Sequence, residues 1–199
     1  MVKRLRIFNN FNIPKKYKKS IILIGNFDGL HSGHQKLFEL AKKYKTKYKS
    51  KIGVVTFDPI PKMFFNTKIK NYRISNFNQK VIYLKKFGVD FVINKKFDKN
   101  FSKISYYKFI KDILSKKLRS KFIFVSNNFR FGHKREGDVP LLKKHEKDFG
   151  YNLINPTPLI KNKEIISSTI IRKLLEEGKL LEANTFLKRN WEIEGKVQR

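Results

Sequence analysis

Gly25-Asn26-Phe27-Asp28-Gly29-Leu30-His31-Ser32-Gly33-His34 is the stretch on which the reading of this chain turns. Before it, Ser20 to Gly25 is an apolar run that reads as a buried strand. After it, in Gln35 to Tyr44, the residues Leu37, Leu40, Ala41 and Tyr44 recur at spacings of three and four, marking one face of a helix. Strand, glycine-rich turn and helix in this order form the corner where open α/β sheets bind ligands. The glycines permit tight turning and close approach of backbone to a phosphate. A helix starting near Ser32 offers unpaired N–H groups and its positive dipole end. His31 and His34, three residues apart, can project into one space there.

Outward from this corner the strand–helix alternation repeats. Ile52 to Phe57 reads as a second buried strand. Phe77, Val81 and Leu84 mark a helix ending near Gly88, and Asp90 to Ile93 a short strand. Phe109, Ile110, Ile113 and Leu114 mark another helix, and Lys121 to Val125 another strand. Leu141, Leu142 and Phe149 suggest one further helix before a strand at Asn152 to Ile154. Strands feeding helices feeding strands predict a doubly wound, Rossmann-like α/β fold with a parallel sheet and right-handed crossovers. The character then changes: Ser168 to Glu177 and Leu180 to Lys188 read as two short helices, a small C-terminal helical extension. Trp191 to Val197 alternates like a strand.

Composition narrows the class. The 199 residues are 40% hydrophobic and 14% aromatic, with 19 Phe, which is enough for a full core and argues against disorder. The net charge of +30 arises from 46 Lys and Arg against 16 Asp and Glu. Such a surplus attracts polyanions, but the lysines are spread over the whole chain instead of forming one stripe. A solvated basic surface is therefore expected, and nucleic acid is not the expected partner. With no Cys, neither a disulfide framework nor a Cys-based zinc site is possible. No signal-peptide core follows the basic N-terminus, and Ile21 to Ile24 is too short to span a bilayer, so a soluble cytoplasmic protein without membrane contact is expected.

Two imidazoles at a helix start can donate hydrogen bonds to a triphosphate and stabilise charge as pyrophosphate leaves. Nucleotidyl transfer needs little more than positioning and electrostatic stabilisation. Two histidines could instead ligate a metal, but zinc would want a third protein ligand, with only His133 and His145 remaining as imidazoles.

Three other stretches carry candidate binding groups, the first two at the ends of expected strands and the third ahead of a helical pattern. In Thr56-Phe57-Asp58-Pro59-Ile60-Pro61-Lys62-Met63-Phe64-Phe65 the prolines fix the exit, and Phe57, Phe64 and Phe65 could wall a flat ring or simply fill core. Ser126-Asn127-Asn128-Phe129-Arg130-Phe131-Gly132-His133-Lys134-Arg135-Glu136-Gly137-Asp138 is polar, basic and aromatic together. It suits a phosphorylated aromatic ligand or a mobile surface loop. In Ile166-Ser167-Ser168-Thr169-Ile170-Ile171-Arg172 a hydroxyl precedes an apolar helical pattern, a good N-cap, and Arg172 could reach phosphates from that helix start.

The glycine–histidine turn resembles the signature of the nucleotidyltransferases with an H-x-G-H motif, whose fold is Rossmann-like and whose donor is ATP or CTP, usually with magnesium. With the three other stretches it resembles, from about Ile22 to Asn190, the FMN adenylyltransferase (FAD synthetase) module of the bacterial bifunctional riboflavin kinase/FAD synthetase family. The resemblance implies transfer of the adenylyl group of ATP to FMN, with Mg²⁺ accompanying ATP and no protein ligand for it assigned. It implies His31, His34 and Arg172 as catalytic residues. Gly25, Asn26, Phe27, Asp28, Gly33, Ser168 and Thr169 would line the nucleotide, and Phe57, Asp58, Pro59, Asn127, Asn128 and Arg130 the flavin side. A basic surface would help gather both anionic substrates.

This sequence departs from the family pattern at Ile60 (usually His), Ser126 (usually Gly), Asn128 (usually Asp) and Ile170 (usually Arg). Residues 1–187 are expected to form the nucleotidyltransferase domain. Residues 188–199, with Glu192-Ile193-Glu194-Gly195-Lys196-Val197, resemble the first strand of a riboflavin kinase barrel and stand as its remnant, so kinase activity is not expected from this chain. The rival readings are a related transferase acting on pantetheine phosphate, nicotinamide mononucleotide or a phosphoalcohol, and a non-catalytic flavin- or RNA-binding remnant.

Overall fold

A computed structural model describes residues 5–69, 72–161 and 164–195. The strands are β1 (Arg6–Phe8), β2 (Ile21–Ile24), β3 (Ile52–Asp58), β4 (Phe91–Lys96), β5 (Phe122–Phe124) and β6 (Asn152–Ile154), with a separate hairpin of β7 (Ile160–Lys161) and β8 (Glu164–Ile165). The helices are α1 (Ser32–Tyr48), α2 (Pro61–Phe65), α3 (Phe77–Lys86), α4 (Lys99–Ser102), α5 (Tyr106–Lys108), which runs into a π-helix at Phe109–Lys117, then α6 (Val139–Lys144), α7 (Glu146–Phe149), α8 (Ser168–Glu176) and α9 (Leu180–Leu187).

Six strands form one sheet in the order β1-β4-β3-β2-β5-β6, every pair parallel. From β2 the chain winds outward through β3 and β4, then returns to β5 on β2's other side and continues to β6. The doubly wound expectation is met, and the gap between the ends of β2 and β5 is the switch point where such sheets take ligands.

The period-2 alternation of the strands splits the core in two. Ile22, Ile24, Val55, Phe91, Ile93 and Ile123 face the layer that holds Phe109, Ile110 and Leu114. Ile21, Leu23, Ile52, Val54, Val92 and Phe124 face α1 and α3 through Leu37, Phe38, Ala41 and Leu84. Gly53 is small for a reason on the first face. A Cβ there would lie 2.2 Å from the Phe91 ring. A third cluster joins α8 and α9 to residue 74 through Ile171, Leu174, Ala183 and Leu187, so the helical extension packs beside the β2 turn.

Several expectations change in detail. The single helix expected over Leu141 to Phe149 is two pieces, because the backbone at His145 leaves helical values (φ −93°, ψ 9°) and its ring bonds Asp148. Edge strand β1 and the β7–β8 hairpin were not expected. The strand expected over Trp191 to Val197 is not formed in its described part, residues 191–195, which makes no strand pairing; Lys196 and Val197 lie outside the described residues. No helix among the described residues is long and apolar enough to cross a membrane.

Candidate active site

The turn leaving β2 is tightly wound. Phe27, Gly29 and Leu30 all take positive φ. A Cβ on Gly29 would meet Ile74 at 2.9 Å, so the turn lies flat against the segment before α3. Phe27 is buried, with its ring 5.2 Å from His34 and 5.1 Å from Phe38.

His31 immediately precedes α1 and His34 lies in its first turn. Their rings stack, centroids 3.7 Å apart and planes 25° from parallel. The glycine between them makes room, since a Cβ on Gly33 would stand 3.2 Å from the His31 ring and 3.4 Å from the Ile166 carbonyl oxygen. Both Nδ1 atoms are buried without a hydrogen-bond partner, whereas neither Nε2 is sealed in this way. A buried N–H without a partner costs more than a buried lone pair, so we assign the proton of each ring to Nε2, where water or a ligand can meet it.

Burial pushes the His31 imidazole down from 6.5 to about 4, and the Arg172 charge adds to the effect. His34 falls well below the ordinary range through burial first, then the charges of His31 and Lys80. Both rings are uncharged at neutral pH, each holding one N–H donor.

The C-terminal stretch meets the turn from the other side. Arg172 Nη2 donates to Asp28 at 2.7 Å, its Nε donates to the Tyr72 carbonyl at 2.7 Å, and its guanidinium lies 3.7 Å from the Tyr72 ring centre. The Ser168 hydroxyl donates to the Asp28 carbonyl at 3.0 Å. Ser167, in turn, caps α8 at the Ile170 N–H. Thr169 is exposed in the first turn. The Ser168-to-Arg172 segment is thus fastened, through Asp28, to the turn that carries the imidazole pair.

That residue is not open to a ligand as its place in the turn suggested. It is 2% exposed, and its carboxylate accepts the Ile74 N–H at 3.1 Å, the Ser75 N–H at 3.3 Å and Arg172. Asp28 is a buried hub that organises the turn, and Arg172 is held through it.

The expected flavin-side residues fall into two groups flanking β2. On the β3 side, Phe57 packs edge-on to Phe97 and tilted on Phe101, Asp58 pairs with Arg73, and the Asp58–Pro59 bond is cis. Phe64 and Phe65 also meet Phe97, with Phe65 largely exposed. On the β5 side, Asn127, Asn128 and Arg130 are exposed. The Ser126 hydroxyl bonds Asn128 at 3.0 Å, Arg130 pairs with Asp138 at 3.0 Å, and Phe129 stacks on Phe131. This loop is pinned by paired backbone bonds between Phe131 and Gly137, at 3.0 and 2.8 Å.

Asp28, Asp58 and Asp138 are therefore each matched by an arginine. His133 and His145 are occupied elsewhere, at the Ser102 carbonyl and at Asp148. Among the described residues no three His, Asp or Glu side chains are grouped to hold a metal ion.

Sequence reasoning missed the segment Tyr72 to Ser75, which lacks any periodic pattern, and it missed Lys80. The signal for Lys80 was present: it occupies the apolar stripe of α3, three after Phe77 and four before Leu84, where a surface lysine does not belong.

A family described as FAD synthetase matches residues 13–170. The chain is 41% identical to a bifunctional riboflavin kinase/FMN adenylyltransferase of Buchnera aphidicola subsp. Acyrthosiphon pisum, covering 94% of this chain and 59% of that protein. It is 35% identical to the protein of the same description from Escherichia coli K12, covering 89% and 56%. It is 30% identical to an FAD synthetase of Listeria monocytogenes, covering 92% and 74%. The chain thus spans about three fifths of the bifunctional relatives. A solved structure described as a macrolide-efflux protein from Streptococcus pneumoniae matches with a TM-score of 0.82 and 27% identity over 94% of this chain and 72% of that one. That description names transport, unlike the family, and the likeness is one of fold.

Proposed function

The chain belongs to the FAD synthetase family, and from that premise we propose that it transfers the adenylyl group of ATP to FMN, giving FAD and pyrophosphate. The observation that carries the reading is the junction at the end of β2. There a stacked pair of neutral imidazoles, the start of α1 and the start of α8 meet around Asp28, at the sheet's switch point.

A phosphate oxygen of FMN attacks the α-phosphorus of ATP. The new P–O bond makes the diphosphate of FAD, while the bond from the α-phosphorus to its bridging oxygen breaks and pyrophosphate leaves with the electron pair. His31 and His34 hold their protons on Nε2 and donate to phosphate oxygens as charge shifts towards the leaving group. They need not give up a proton, and the arriving negative charge favours the protonated form of both rings.

The first turn of α8 offers the Thr169 hydroxyl and its free N–H groups to the phosphates. Arg172 fixes Asp28 and adds positive charge beside His31. Phe57, Asp58 and Pro59 from β3, with Asn127, Asn128 and Arg130 from β5, receive the flavin nucleotide from the two flanks. Mg²⁺ neutralises phosphate charge when it accompanies ATP. With the three site aspartates already paired to arginines, it would be carried by phosphate oxygens. The proposed setting is the cytoplasm, with ATP and FMN as small-molecule partners and nucleic acid not required.

The test is purified protein with ATP, Mg²⁺ and either FMN or riboflavin, the products separated by chromatography. FAD and pyrophosphate from FMN are expected. Unchanged FMN, or preferred adenylylation of pantetheine phosphate or nicotinamide mononucleotide, overturns the proposal.

A further inference from the structure

Close to the histidine pair lies a charge for which the transfer chemistry has so far given no use. Lys80 of α3 is 3% exposed. Among the described residues its ammonium makes one hydrogen bond, donated to the Asn26 carbonyl at 2.8 Å. The same carbonyl accepts the Thr56 hydroxyl at 3.3 Å, so the turn's second residue is held from both α3 and β3.

The surroundings do not neutralise this ammonium. His34 faces it from α1, Asp28 from the turn, Asp58 from the end of β3 and Arg73 from the segment before α3. Asp28 is matched by Arg172 and Asp58 by Arg73. Three cations thus stand against two carboxylates, leaving one positive charge over. A buried ammonium with a single carbonyl partner is costly unless an anion joins it. Lys80 accordingly drops from 10.5 to about 8: burial is the main cause, Asp28 and Asp58 pull it up, and Arg73 pushes it further down. A methionine of similar length would fill this position in the stripe without that cost.

We propose that Lys80 is a positioning residue for the nucleotide. Its ammonium holds the Asn26 carbonyl, and with it the Gly25-to-Phe27 turn, in the shape that admits a triphosphate, and the arriving phosphates supply the anion that its surroundings lack. The inference rests on the adenylyl-transfer reading above.

The experiment measures binding of a non-hydrolysable ATP analogue by calorimetry from pH 6.5 to 9.5, for the wild type, Lys80→Arg and Lys80→Met, alongside FAD formation. Wild-type affinity is expected to be level below pH 8 and then to fall, approaching about tenfold per pH unit as the ammonium loses its proton. Lys80→Arg keeps a permanent charge, so its affinity stays level to pH 9.5. Lys80→Met is expected to be weaker by about tenfold or more at pH 7, equivalent to one pH unit of linkage, and to show no fall above pH 8.

A Lys80 that only props up the fold would give an unfolding change in Lys80→Met with the pH 8 limb intact. Persistence of that limb in either variant overturns the inference, as does unweakened binding by Lys80→Met at pH 7. These outcomes are separate from failure of the functional reading, in which the wild type binds the analogue yet forms no FAD from FMN.

Discussion

Arg172 and Asp28, 144 residues apart in sequence, are joined by a buried ion pair of 2.7 Å. The pair ties the turn after β2 to α8, and Asp28 also anchors two backbone N–H groups. Asp28→Asn leaves the guanidinium uncompensated and turns a carboxylate oxygen into a donor facing other donors. A loss of about 3 kcal/mol or more is expected in urea unfolding. A change below about 0.5 kcal/mol would show that the pair is peripheral to the fold.

His34 is expected to act on charge in the transition state. His34→Ala should slow FAD formation by about 10² to 10³ with little change in circular dichroism. Turnover within a factor of two of the wild type would remove its role.

The stacked imidazoles also set a pH limit on stability. The folded-state value of His31 lies near 4, below its ordinary 6.5, so the unfolded chain binds more protons between those values. Its contribution is present in full above about pH 6.5 and is lost as pH falls towards 4. The displacement from 6.5 to about 4 corresponds to roughly 3 kcal/mol, and His34 acts in the same direction. Denaturant midpoints from pH 7.5 to 4 should fall in the wild type and fall less in His31→Asn. Parallel curves would remove His31 as the source.

Gly33 is set by its neighbours more than by its backbone. Gly33→Ala brings a methyl to 3.2 Å from the His31 ring and 3.4 Å from the Ile166 carbonyl, so the ring must shift by a few tenths of an ångström. Turnover is expected to drop by about tenfold to 10², with a smaller effect on the unfolding midpoint. Retained turnover would show that the ring has slack.

Arg130 is an exposed cation of the β5 loop, held by Asp138. Arg130→Ala should raise KM for FMN about tenfold and leave KM for ATP unchanged, as loss of one charge-assisted contact to phosphate implies. Equal effects on both substrates would place Arg130 away from the flavin side.

The sequence made the centre of the fold legible and its margins less so. Ile21 to Ile24, the glycine–histidine turn and the stripe of α1 announce themselves because each is a local pattern: an apolar run, glycines at a reversal, a 3.6-residue period. Asn152 to Ile154 was legible for the same reason. Arg6 to Phe8 was not, because three residues with partly exposed side chains become a strand only by pairing with β4, a partner more than eighty residues away. The site was half legible. The glycine–histidine turn pointed to His31 and His34 and the Ile166-to-Arg172 stretch to Ser168 and Arg172 as candidates, but no local pattern shows that Asp28 points inward, since that depends on Arg172 and residues 74–75 arriving from elsewhere. Lys80 was visible only as a wrong residue in an apolar stripe, which becomes informative once the Asn26 carbonyl is seen above it.

The clasp between α8 and the β2 turn has a consequence for the newborn protein. Chains leave the ribosome from their N-terminus, and domains settle as they emerge. Both imidazoles and Asp28 are translated early, whereas the arginine that neutralises Asp28 and the hydroxyl that grips its carbonyl arrive at positions 172 and 168. A nascent chain released short of α8 holds Asp28 without the partners that seat it. Under the proposed function, competence to grip a nucleotide therefore waits until α8 has left the ribosome, and a chain halted before that helix is expected to be inert.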